Sequence, residues 1–108
     1  MKRTVIWWIL CGLLTVFSMV LIVMVHAAYA QEYAALSSTP GTSGIDYFGV
    51  GWGYAFYYLL PAAAVHLPGV VCAIAGAVCT DRRWERWAFA VWAAAFVVTV
   101  PAVVLSLA

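Results

Sequence analysis

The chain has 108 residues, of which 68% are apolar and 8% charged, with five Lys/Arg against four Asp/Glu and a net charge of +1. A soluble domain carries roughly 45–50% apolar and 25% charged residues, and a core of this length could not hide the surplus from water. The composition excludes an ordinary globular domain, a disordered chain, a disulfide scaffold and a charge-driven nucleic-acid module, and leaves a membrane protein.

The charges divide the chain into three uncharged stretches, Thr4–Gln31, Tyr47–Thr80 and Trp87–Ala108. Each exceeds the ~20 residues that a helix needs to cross a ~30 Å hydrocarbon core. Spans are predicted over 4–27, 52–79 and 86–107, with an outer loop at 28–51 and an inner loop at 80–85. The expected architecture is all-α: an integral membrane three-helix bundle forming a single membrane domain over 1–108.

In the first stretch, Lys2-Arg3, an apolar run and Ala28-Tyr29-Ala30 before Gln31 together resemble a secretory signal with its cleavage site. The apolar run from Thr4 to Val25 is longer than the about 7–15 residues of a signal core, so an uncleaved span is expected. Cys11, Thr15, Ser18 and His26 share one face of this helix, and Ile22 completes it. The outer connection follows. Gln31–Ser38 is read as two turns of interfacial helix, and Ser38–Gly44 as a loop of turn formers. Gly49-Val50-Gly51-Trp52-Gly53 resembles, over four residues, the Val-Gly-Tyr-Gly core of a potassium-channel filter, with Trp52 in the tyrosine position. No pore helix precedes it, and Gly49 stands where the motif's leading threonine belongs. These glycines are read instead as a close helix approach beneath the outer loop.

The second stretch contains Pro61, His66 and Pro68. An imidazole about fourteen residues into a span belongs inside a bundle or cavity. The prolines free carbonyls of the same helix, one of which could accept its N–H. His66 is therefore read first as a satisfied structural histidine; as a haem or metal ligand, or a proton, quinone or substrate contact, it is the candidate cofactor-binding residue. His66 lies level with Val16–Phe17, whereas His26 is about nine positions, or roughly 14 Å, further out. Haem or quinone binding would thus need a partner chain. No metal or catalytic pattern is present, and an enzyme is not expected. Cys11, Cys72 and Cys79 are read as small packing residues. Gly69, Ala73 and Ala77, with Cys72 and Gly76 beside them, form a small-residue stripe for close helix packing, as do Ala90/Ala94 and Ala95/Thr99 in the third span.

All five basic residues fall at Lys2 and Arg3 or at Arg82, Arg83 and Arg86, which a three-span chain puts on one side. The positive-inside rule then predicts a cytoplasmic amino terminus and an extracytoplasmic carboxyl terminus. Trp7, Trp8, Trp84 and Trp87 would anchor the inner interface. Asp81 is expected to cap the third span. The functional expectation is an accessory or structural subunit of a larger complex in a bacterial plasma (inner) membrane, with the lipid bilayer and other subunits as partners and no nucleic acid. A homo-oligomeric transporter or channel subunit is the alternative, and a haem- or quinone-associated anchor of a redox complex the third.

Overall fold

The computed structural model describes residues 2–107, with side chains from Thr4 onward. The side chains of Lys2 and Arg3, expected to help set topology, therefore lie outside the described residues. Three helices follow in order: α1 (Lys2–Ser37), α2 (Gly44–Cys79) and α3 (Arg83–Leu107). All three are long and apolar enough to span a membrane. The bundle measures 61 × 19 × 17 Å.

α1 and α2 extend well past the apolar stretches expected to span. The expected outer loop shrinks to residues 38–43, and the two turns expected near Gln31–Ser38 are a continuation of α1. Polarity rises near Gln31, but nothing from Ala28 to Ser37 breaks a helix. The actual break comes at Pro40 and at Gly41, whose φ of 81° is a left-handed turn conformation. The Thr39 hydroxyl donates to the Ala35 carbonyl at 2.9 Å, and the Thr42 hydroxyl lies 2.7 and 2.8 Å from the Thr39 and Leu36 carbonyls, closing the end of α1. Ser43 begins α2, its N–H donating to the Asp46 carboxylate at 2.9 Å. The Gly49–Gly53 run lies inside α2 as regular helix, so its backbone is in no filter conformation.

At the opposite end, residues 80–82 reverse the chain. Thr80, rather than the expected Asp81, organises this turn. Its hydroxyl accepts the Arg82 N–H at 3.2 Å and donates to the Glu85 carboxylate at 2.6 Å. Its own N–H closes α2 on the Gly76 carbonyl at 3.1 Å.

α2 is the central element and packs along both neighbours, whereas α1 and α3 approach each other at few points. Against α3 the packing is ring into notch. Gly69 and Gly76 are so close to Phe96 and Phe89 that an added Cβ would come within 2.9 and 2.6 Å of the rings. Ala73 is fully buried between them. Cys72 and Ala77 are half-buried at the edge of that contact. The α3 side of this seam is aromatic. Ala90, Ala94 and Ala95, expected to face the bundle, point outward instead. Phe89 and Phe96 are seven residues apart, two helical turns, and they meet the glycines that are themselves seven apart. A second core near the other end joins Val25, Ala55, Tyr58, Ala62, Val103 and Leu107.

Candidate functional site

Cross-helix hydrogen bonds join the bundle at three levels, one buried, one part-buried and one exposed. Nearest the Thr80 turn, the Trp92 indole N–H donates to Thr15 Oγ1 at 2.8 Å, and that hydroxyl donates to the Cys11 carbonyl at 2.7 Å. The middle level is His66, only 4% exposed. Its Nδ1 is 3.1 Å from the Phe96 carbonyl and its Nε2 is 2.9 Å from Ser18 Oγ. A carbonyl can only accept, so Nδ1 carries the proton; in the neutral ring Nε2 then accepts from the Ser18 hydroxyl. One side chain thereby joins all three helices.

The Phe96 carbonyl corrects the expectation that a proline-freed carbonyl of α2 would receive the imidazole N–H. Pro61 and Pro68 act four residues back, at Tyr57 and Ala64, whereas His66 points across the interface to α3. The Phe96 ring also meets the imidazole edge-on, with centroids 5.5 Å apart. Serine at position 18 lies one residue beyond the level predicted for His66 by counting along antiparallel helices.

The third level is His26. Its Nδ1 donates to the Ile22 carbonyl at 3.0 Å, and its Nε2 lies 2.9 Å from Ser106 Oγ. Ser106 is also 2.7 Å from the Val103 carbonyl. Its single proton thus has two acceptors to serve, a competition that Ser18 does not face.

The pattern makes His66 a structural crosslink. Neither ring nitrogen is free to bind a metal or haem iron without giving up a helix contact. Among the described residues no group of three or more His, Cys, Asp or Glu could hold a metal ion. His66 borders two small grooves of about 240 and 300 Å³ on either side of Phe96, but the ring itself is tied down between them.

The four tryptophans expected to act as interface anchors occupy different environments. Trp84 and Trp87 are exposed and Trp7 is half-buried. Trp8 sits within an aromatic group, with ring centroids 4.7 Å from Phe89, 5.5 Å from Trp92 and 6.1 Å from Trp84. It ties α1 to α3 where their backbones stand apart. Arg82, Arg83 and Arg86 line the outside of the tight turn, where Arg86 Nη2 also reaches the Thr80 carbonyl at 3.4 Å. Cys11 is buried and Cys79 exposed, and all three cysteines are free.

Sequence reasoning missed the Thr15–Trp92 and His26–Ser106 bonds. The serine and threonine positions were visible, but a donor 77 or 80 residues away in the chain leaves no local signal. It also missed a cleft between α1 and α2 at the residue 38–43 end. This cleft has a volume of about 710 Å³ and includes Glu32, Asp46, Tyr54 and Tyr57 among its walls.

No protein-family model, curated protein or solved structure matches this chain.

Proposed function

We propose that this small membrane protein works by assembly, as an accessory or structural subunit of a larger bacterial plasma-membrane complex. One observation carries the reading. The bundle interior is filled by its own side chains, with Tyr58, Phe89, Leu107 and Cys11 fully buried, while Val, Ile, Leu and Phe side chains cover the outside. The most apolar window of each helix is only 17%, 28% and 17% buried within the chain. Such packing favours assembly over a solute path of its own, and the large apolar exterior suits lipid and neighbouring transmembrane helices.

The amino terminus is assigned to the cytoplasm and the carboxyl terminus to the opposite side, because every basic residue lies at one end of the bundle. At 36 residues, α1 and α2 are each ~54 Å long, well beyond a ~30 Å hydrocarbon core. Their shared end therefore projects past the bilayer on the extracytoplasmic side, where a larger subunit could grip it.

The second reading is a homo-oligomeric transporter or channel subunit. It is favoured by the outward Ala90, Ala94 and Ala95 surface of α3, where another copy's backbone could approach. The haem or quinone reading gains no support, because both His66 nitrogens are engaged. Purification of the tagged chain in mild detergent from its native membrane tests the proposal. Foreign membrane subunits recovered in constant ratio are the expected result; a clean homo-oligomer would replace it with the second reading.

A further inference from the structure

The α1–α2 cleft contains an oddity that the fold does not explain. Gly49 and Gly53 stand one turn apart in the interior of α2 and both face the cleft. Glycine is the poorest helix former after proline. Further along α2, Gly69 and Gly76 make room for aromatic rings. At Gly49 and Gly53 an added Cβ would meet nothing within 4 Å. Among the described residues nothing uses the space those glycines leave.

The chemistry around that space is one-sided. Glu32 from α1 and Asp46 from α2 border it, together with the phenols of Tyr54 and Tyr57. Tyr54 stands beside the Glu32 carboxylate. No basic residue lies between Arg3 and Arg82, so the chain offers these carboxylates no cation at this end. The remaining walls are apolar. Its volume of about 710 Å³ falls within the ~300–1,000 Å³ range of small-molecule sites.

We propose that this cleft binds an amphipathic organic cation: an ammonium group on an apolar or aromatic body. The Glu32 carboxylate and the phenol faces would hold the positive head, with Asp46, engaged by Ser43, adding negative charge beside them, and the open strip along Gly49 and Gly53 would accommodate the body. A second copy of the chain is a poorer occupant for this cleft. Its matching end brings two more carboxylates and no Lys or Arg, so like charges would meet.

The test uses the full chain in phosphatidylglycerol nanodiscs, with benzyltrimethylammonium as the probe and neopentylbenzene as its neutral carbon analogue. The amide resonances of Gly49 and Gly53 report binding locally. Saturable shifts with the cation alone are expected, weakened about two- to fivefold by Glu32→Gln and abolished by Gly53→Leu. Lower apparent affinity in phosphatidylglycerol discs diluted with phosphatidylcholine than in discs diluted equally with an uncharged glycolipid, the two being matched in surface charge, would identify lipid trimethylammonium headgroups as a competing source of the same group. Equal affinity in the two would identify the soluble cation. Absent shifts, equal shifts with neopentylbenzene, or shifts indifferent to Glu32→Gln would overturn the proposal. So would a Gly53→Leu chain that loses an oligomer yet binds the cation unchanged, since the cleft would then seat a helix.

Discussion

Phe89 lies over Gly76 so closely that a methyl group at position 76 would come within 2.6 Å of its Cε1. The contact is ring on bare backbone, and it sets how near α2 and α3 can come. Gly76→Ala is expected to destabilise the bundle by about 1–3 kcal/mol, because neither the fully buried ring nor the backbone has space to yield. Gly53→Ala fills open space and is expected to raise stability by about 0.5–1 kcal/mol. Unfolding titrations in mixed micelles should separate the two variants by sign. Two losses of equal size would show that position 53 is packed.

Ala73 and Val71 provide a second contrast on the same helix. Ala73 is fully buried against α3, while Val71 is 64% exposed. Ala73→Leu should reduce accumulation in membranes and disturb assembly, and Val71→Leu should do neither. Membrane-fraction blots and native gels compare them directly. Equal behaviour of the pair would mean that the buried stripe contributes little to stability.

His66 is predicted to act as a crosslink whose effect depends on Ser18. Ser18→Ala should cost about 1 kcal/mol, with one imidazole nitrogen left unpaired. His66→Leu should cost more, since Ser18 and the Phe96 carbonyl both lose a partner. In a double-mutant cycle the two losses should be non-additive by at least ~0.5 kcal/mol. His66→Gln, able to donate and accept, should retain assembly. Strict additivity would uncouple the two side chains.

Tyr58 is fully buried, yet among the described residues its hydroxyl finds no hydrogen-bond partner. Removing an unpaired buried hydroxyl while keeping the ring should be neutral or stabilising by up to about 1–2 kcal/mol. Thermal or denaturant unfolding of Tyr58→Phe measures this. A marked loss of stability would point to an ordered water bridging the phenol to the core.

Topology is open to reporter fusions. Fusions at residue 82 should report the cytoplasm, and fusions at residues 42 and 108 the opposite side, because Lys2, Arg3, Arg82, Arg83 and Arg86 share one end. Residues 82 and 108 on the same side would exclude three crossings.

Much of this architecture was legible in the sequence because it depends on composition and on one-dimensional spacing. Three uncharged stretches of sufficient length determine three apolar helices. The alternating four- and three-residue spacing of Cys11, Thr15, Ser18 and Ile22 marks the inward face of α1, and counting along antiparallel helices brings His66 to Ser18 within a turn. Helix ends were less legible, since polarity marks the edge of an apolar stretch whereas Pro40 and Gly41 mark the end of the helix.

The tertiary structure alone decided which of several similar stripes became a contact. Gly69 and Gly76 receive rings, Ala90 and Ala94 turn outward, and Gly49 and Gly53 open onto empty space. All three pairs read alike along the chain, because small residues permit close approach without specifying what approaches. The partner of His66 followed the same logic. Any polar group at the right depth satisfies the sequence, and only the packing of α3 put the Phe96 carbonyl within hydrogen-bond reach.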